Sequence, residues 1–288
     1  MFTQLKLTVR PVTMQDRHKL ANLIHFEIYV HRHLDWRPPL DWIGYQPYLV
    51  AESSGKIVAA LACPPDPPKV AWIRLFAVSS DISVERAWAA LWPEARDQLA
   101  EMSRPPQIAA IPLQHWFQSI LENSGFEQTH RVVMLSWVPG EPIPETILNN
   151  VNIRPMNLDD LAAVEEVDAA SFRLVWQNSQ SCLELAFRQA AVATVSEVDG
   201  KLVGYQISTA TPIGGHLARL AVHPDFQSHG IGYSLVRDML SQFDRRGAQA
   251  VTVNTQQDNI ASLSLYQKAG FRRTGEEYPV YQYFPFSN

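Results

Sequence analysis

The stretch HPDFQSHGIGYSLV, residues 223–236, puts Gly230 and Gly232 where a loop turns into a helix, directly after the apolar run LARLAV. Glycine lets a backbone approach a ligand closely, and a helix N-terminus presents N–H groups that lack a carbonyl partner. The N–H groups of Ser228, His229, Gly230, Ile231, Gly232 and Tyr233 are therefore expected to converge on a phosphate or pyrophosphate, with the helix dipole adding favourable charge. His229 is expected to contribute its backbone rather than its ring. The bland alternative is a tight strand-to-helix turn.

The rest of the chain bounds what such a cradle can serve. At 288 residues and 46% hydrophobic content the chain can bury two domain cores. Basic residues number 24 against 29 acidic ones, for a formal charge of -5 and no long basic run, so no nucleic-acid footprint is expected. Cys63 and Cys182 have no zinc or redox spacing and read as packing residues in a reducing compartment. No apolar signal core opens the sequence and no run of 18 apolar residues occurs, so the expectation is a cytoplasmic protein with no membrane partner. His31-Arg32-His33 lacks a nearby third ligand, and no metal is expected.

An internal repeat organises the elements. LTVRPVTMQDRHKLANLI (7–24) matches VNIRPMNLDDLAAVEEVD (151–168), LVAESSGKIVAALA (49–62) matches TVSEVDGKLVGYQI (194–207), IRLFAVSSD (73–81) matches LARLAVHPD (217–225), and LENSGFEQT (121–129) matches YQKAGFRRT (266–274). A period this long means two copies of a whole domain. The expected division is a first domain at 1–138, a Pro-rich linker at 139–150 and a second domain at 151–288. Each copy reads as strand, helices, hairpin, strand, helix, strand, helix and closing strands. Asp199-Gly200 marks a two-residue hairpin turn, and Ile231, Leu235, Met239 and Phe243 form the apolar face of the helix after the glycine loop. The fold class expected is α/β (α+β), with mixed, mostly antiparallel sheets flanked by helices.

Three stretches of the second copy, LAVHPDFQSHGIG (220–232), NTQQDNIASLSLYQKAGF (254–271) and NIRPMNLDDL (152–161), resemble the GCN5-related N-acetyltransferase (GNAT) superfamily over roughly 151–283. The first matches the family's pyrophosphate loop: Gln227, two residues, Gly230, one residue, Gly232. The resemblance implies an acetyl-CoA donor, a strand Leu220, Ala221 and Val222 whose backbone pairs with the pantetheine arm, and a contact from Asn259 to that arm. Asn259 is equally placed to cap the following helix. The chain as a whole then resembles a tandem member with a degenerate first copy.

Acetyl transfer to an amine needs a neutral amine, stabilisation of an oxyanion and a proton for the departing thiolate. The resemblance implies that Tyr266 supplies this proton; core packing is its plain alternative. Twelve residues before Tyr266, where some members carry a glutamate, this chain has Asn254, which cannot take a proton. His216 occupies the glutamate position of another branch. Its imidazole titrates near neutrality, and strand alternation puts 216, 218, 220 and 222 on one face unless a bulge intervenes. A solvated turn histidine is the competing reading, and His223 is assigned no role.

In the first copy Ser83, Glu85, Arg86 and Trp88 stand where the loop has Gln227, His229, Gly230 and Gly232. The arginine and tryptophan side chains are expected to fill the pyrophosphate space. Ala87, Leu91, Ala95 and Leu99 keep the helix face, and Trp36, Trp42, Tyr45 and Tyr48 either wall the acceptor site or form the copy's own core. The reading is an acetyl-CoA-dependent N-acetyltransferase acting directly on a small-molecule or peptide amine. The alternative is a non-catalytic acyl-CoA sensor on the same fold. Acceptor and oligomeric state, monomer or homodimer, stay open. YPVYQYFPF (278–286) is expected to complete a sheet.

Overall fold

The computed structural model describes residues 6–140 and 150–284. Two compact units emerge, Met1–Thr129 with Pro279–Asn288, and His130–Tyr278. These differ from a division at 139–150, most of which lies outside the described residues. The reason is strand pairing: residues 132–137 pair with a strand of the second unit, and 281–283 pair with a strand of the first. Each unit thus takes one strand from the other half of the sequence, and the aromatic closing segment completes the first unit's pairing rather than its own half's.

The first unit contains β1 (Thr8–Pro11), α1 (Arg17–Phe26), β2 (Tyr29–Arg32), β3 (Tyr48–Ser53), β4 (Lys56–Ala62), β5 (Val70–Trp72), β6 (Leu75–Val78), α2 (Val84–Ala100), β7 (Gln107–Ala110), α3 (His115–Glu122) and the start of β8 (Phe126–Trp137). Its five-stranded sheet runs in the order β1-β3-β4-β6-β2. The second unit takes the rest of β8, then β9 (Val151–Pro155), α4 (Leu161–Ser171), α5 (Gln180–Arg188), β10 (Val192–Val198), β11 (Lys201–Thr211), β12 (Gly214–Val222), α6 (Ile231–Arg245), β13 (Ala250–Gln256), α7 (Ile260–Lys268) and most of β14 (Arg272–Tyr283). Here β8, β13, β12, β11, β10 and β9 are neighbours in that order.

The repeat is visible in structural detail that sequence patterns do not carry. Arg10 bridges Asp16 (2.7 Å) and Glu52 (2.6 Å), and Arg154 bridges Asp160 (2.8 Å) and Glu197 (2.7 Å), tying the first strand to the following turn and to the hairpin in both units. The hairpin turns also coincide: Ser54 and Asp199 have φ of 50°, followed by Gly55 and Gly200 at 79°. Left-handed φ at both turn residues matches the right-handed twist of the flanking strands.

Amphipathic spacing fixes the helices that matter. Ile231, Leu235, Val236, Met239, Leu240 and Phe243 of α6 are all buried, as are Ala87, Leu91, Ala95 and Leu99 of α2. Trp88 is buried with them and stacks on Trp92 at 5.3 Å, its indole N–H donating to Ser124 Oγ at 2.7 Å. It therefore packs inward rather than filling a phosphate space. Its counterpart Gly232 explains why: a Cβ there would lie 2.9 Å from Leu265 Cδ1 of α7, so this position faces the neighbouring helix in both units. Trp42 and Tyr48 are buried in the first unit's own core beside Leu20 and Leu75, whereas Tyr45 is exposed.

Candidate acyl-transfer site

β12 and β13 run parallel but pair only from Gly214–Leu217 to Ala250–Val253. Beyond that point the strands part. β12 continues to Val222 against β11 alone, and Asn254, Thr255 and Gln256 pair with Met134, Val133 and Val132 of β8. The edge of residues 218–222 that faces β13 is left without a strand partner among the described residues. A row of strand N–H and C=O groups lies along a split in the sheet.

A β-bulge sits where the split begins. Ile207 pairs with Arg219 but Ser208 pairs with Leu217, which leaves Ala218 over. The extra residue reverses the alternation, so the expectation that 216, 218, 220 and 222 share a face is corrected. Leu217 packs in the core of α6, and Leu220 and Val222 pack beside Ile231 and Leu235 of the same helix. His216 and Arg219 belong to the other face.

The split leads to the glycine loop. Gln227 Nε2 donates to Val222 O at 2.8 Å, and Ser171 Oγ donates to the same carbonyl at 3.0 Å, fixing the end of β12. Ser228 has φ 64° and Gly230, at the N-cap of α6, φ 85°. Two left-handed residues in three positions wrap the chain into a concave turn, which favours glycine at 230. The first α6 backbone bond outside the helix body is Ser234 N–H to Gly230 O (3.0 Å), so the N–H groups of Ile231, Gly232 and Tyr233 precede the ladder. Glycine at 230 is favoured by its left-handed φ, whereas a Cβ at 232 would press on the terminal methyl of Leu265, a difference between the two glycines the sequence did not reveal.

Tyr266 lies on α7, 5% exposed, in the same core as Val251 and Val253 of β13. Burial pushes its phenol pKa up, so it stays protonated throughout the neutral range. His216 lies across the sheet from it. Its Nδ1 is 2.8 Å from Thr252 Oγ1, and burial lowers its pKa, keeping the imidazole neutral at pH 7. Asn254 alternates with Thr252 on this second face, one residue beyond the last β12–β13 pair. Its Oδ1 is shielded from solvent and has no hydrogen-bond partner among the described residues. Asn259 caps α7 by accepting from Ser262 N–H at 3.1 Å, with Nδ2 3.5 Å from Gln256 Oε1. His223 accepts from Asp225 N–H at 3.3 Å and closes a turn.

One cluster was not foreseen. Asp168, fully buried at the end of α4, accepts from the Tyr205 hydroxyl, from Arg219 Nε at 2.8 Å and from Asn178 N–H at 2.9 Å. Arg219 also donates to Trp176 O at 2.6 Å and stacks its guanidinium 3.5 Å from the Phe172 ring centre. The 172–179 connector between α4 and α5 is thereby clamped to β12 one residue past the bulge, on the His216 face. The signal was present as an Asp in an apolar helix and an Arg inside an apolar strand, both of which demand partners when buried.

The family model described as Acetyltransferase (GNAT) family matches residues 157–271. Residues 157–271 form a domain of the GNAT family. The N-alpha-acetyltransferase RimI of Mycobacterium tuberculosis is 38% identical over 80 residues, 26% of this chain and 49% of that protein. The ribosomal protein bS18-alanine N-acetyltransferase of Escherichia coli is 27% identical over 73 residues, 25% of this chain and 49% of that one. The chain thus spans about half the length of these two relatives. Over the whole chain, a tandem GNAT protein from the clavulanic acid biosynthesis pathway superposes with TM-score 0.64 at 16% identity, covering 96% of this chain and 98% of that one. A GCN5-related N-acetyltransferase from Sphaerobacter thermophilus gives 0.61 at 14%, covering 96% and 95%. The tandem GNAT fold thus extends over both units.

The first unit departs from the GNAT domain where the split would be. Val70–Trp72 pair in parallel with Gln107–Ala109, repeating the β12–β13 pairing. Leu75–Val78, the counterparts of 219–222, pair instead with Arg32–Tyr29 of β2. The edge left free in the second unit is occupied here by the unit's own chain. His31 of β2 is buried, with Nε2 3.1 Å from Ile73 O and its ring stacked on Phe117 at 4.1 Å; His33 stacks on Trp72 at 4.7 Å. Among the described residues no group of three or more His, Cys, Asp or Glu is arranged to hold a metal, and no helix is long and apolar enough to cross a membrane.

Proposed function

We propose that the second unit transfers an acetyl group from acetyl-CoA directly to a bound amine. The observation that carries this reading is the unpaired edge of 218–222 opening beside β13 and ending at the left-handed turn into α6. Leu220, Ala221 and Val222 offer backbone groups to an extended pantetheine amide chain. The N–H groups of Ser228, His229, Gly230, Ile231, Gly232 and Tyr233 receive the pyrophosphate, and Gln227 and Asn259 hold the ends of β12 and α7 that frame the arm.

The two faces of the sheet divide the chemistry. On one, Tyr266 holds a proton for the departing thiolate; on the other, His216 accepts the proton of the attacking amine, directly or through water. Asn254 Oδ1, at the opening of the split and lacking a partner, accepts a hydrogen bond from the same amine. The split is the one place where a thioester can meet both. The first unit, with its counterpart edge covered by β2, is a scaffold that takes no CoA in this manner. The acceptor is a small-molecule or peptide amine bounded by the 172–179 connector.

The experiment is release of CoA thiol from acetyl-CoA by the full chain against a panel of small amines and peptide N-termini. Amine-dependent release supports transfer. Binding of acetyl-CoA without release on any amine of the panel would identify an acyl-CoA sensor instead.

A further inference from the structure

His216 and Thr252 are register partners in the short parallel pairing of β12 and β13, so their side chains leave the same face of the sheet side by side. His216 Nδ1 lies 2.8 Å from Thr252 Oγ1, and neither side chain has a second hydrogen-bond partner among the described residues. Nδ1 is thus taken, and Nε2 is the nitrogen left for the split. Threonine is β-branched, which restricts χ1 and fixes where its hydroxyl stands on the strand.

Two proton arrangements satisfy a contact of 2.8 Å. In one, Nδ1–H donates to Oγ1 and the lone pair of the ring sits on Nε2; in the other, the hydroxyl donates to Nδ1 and Nε2 carries the hydrogen. Only the first leaves a base for the amine. It also needs no change of partner during the reaction, because an imidazolium carries hydrogen on both nitrogens and Nδ1–H keeps the acceptor it already had. In the second arrangement Nε2 is a donor, and the hydroxyl would have to turn round before the ring could take a proton.

We propose that Thr252 is a positioning residue for His216: its Oγ1 accepts from Nδ1–H and so holds the ring in the tautomer whose lone pair, on Nε2, takes the amine proton. This role rests on the reading of His216 as the base of the acyl-transfer site. The surroundings show why a neutral hydroxyl serves. On this face β11 presents Thr209 beside His216, β13 presents Thr252 and Asn254, and β8 presents Ser136 and Met134 opposite those two, all uncharged. Arg219, on the same face, is paired with Asp168. A carboxylate beside Nδ1 would favour the imidazolium and leave the base already protonated near neutrality. The hydroxyl orients the ring without adding charge, and burial then keeps the resting imidazole neutral.

The test is a long-range proton–nitrogen NMR correlation spectrum of the full chain with isotope-labelled histidine, the His216 ring signals being assigned by their loss in His216→Asn. At neutral pH the hydrogen of His216 is expected on Nδ1. Thr252→Val, which keeps the β-branched shape, should move it to Nε2, because a buried N–H without an acceptor is disfavoured. The same variant should lower turnover about tenfold or more, as a base held in the wrong tautomer does, while leaving KM for acetyl-CoA within about twofold. Thr252→Ser keeps the hydroxyl and should retain both the tautomer and the rate. Turnover is read as CoA thiol release with the panel amine that the natural chain uses fastest; the tautomer is read without any acceptor. Hydrogen on Nε2 in the natural chain, an unchanged tautomer in Thr252→Val, or a Thr252→Ser variant that behaves like Thr252→Val overturns the role of Thr252. Hydrogen on Nδ1 together with full turnover in His216→Asn refutes instead the reading of His216 as the base, and the positioning role falls with it.

Discussion

Replacing Asp168 by Asn keeps the shape of the side chain and removes its charge. The Arg219 guanidinium, whose side chain is 13% exposed, then loses its one anionic partner among the described residues, and Tyr205 loses a carboxylate acceptor. Removing one member of a buried ion pair costs about 3–5 kcal/mol. Trp176 O and the Phe172 ring remain in contact with the guanidinium, which places the expected cost at the lower end, about 3 kcal/mol. For a domain of this size, each kcal/mol lowers the midpoint by about 2–4 °C. Scanning calorimetry should therefore show one transition shifted down by about 6–12 °C. Arg219→Gln should cost a similar amount, and the double variant should cost at least about 1 kcal/mol less than the two singles together, because neither charge is then buried alone. A shift below about 2 °C in Asp168→Asn, or strict additivity in the double variant, refutes the clamp as a buried charge network.

Three further outcomes follow from the site and its surroundings. Tyr266→Phe should lower turnover by about a hundredfold or more while leaving acetyl-CoA affinity within twofold, since only the thiolate's proton source is removed; unchanged turnover takes Tyr266 out of the mechanism. Because burial lowers the His216 pKa, its neutral form persists below pH 6.5, so the acid limb of the pH–rate profile should fall at a lower pH than for a free imidazole and be absent in His216→Asn. In the first unit, burial holds His31 at about 4 against 6.5 in the unfolded chain, so its contribution to stability is intact above pH 6.5 and is lost as pH falls towards 4. That loss amounts to about 3 kcal/mol, and urea midpoints of His31→Gln should decline less between pH 7 and 4.5 than those of the natural chain.

Local chemistry was the legible part. The glycine loop, the apolar face of α6, the Asp199-Gly200 turn and the duplication all follow from spacing and residue type, because each is decided within a few residues or by a repeated pattern. What could not be read depends on pairing across distance. The bulge at Ala218 is invisible in LARLAV, yet it decides which face His216 occupies. The insertion of β2 against Leu75–Val78 could not be anticipated either, since YVHR carries no mark of its partner strand. Trp88 was misread as a loop blocker because sequence gives a residue's size but not its direction; the equivalence with Gly232 shows that it faces the adjacent helix. Asn254 was considered only as a missing base, and nothing in the sequence showed that its carbonyl would lie shielded and without a partner among the described residues at the opening of the split.

The most direct measurement is calorimetric titration of acetyl-CoA into the full chain and into Gly230→Arg. At φ 85° a side chain is strained, and an arginine places its bulk at the turn that would receive the pyrophosphate. The account predicts one site per chain in the natural sequence and none in the variant. No binding to the natural chain, or binding that survives the substitution unchanged, contradicts the placement of the donor at the α6 turn; two sites per chain contradict the assignment of the first unit as a closed scaffold.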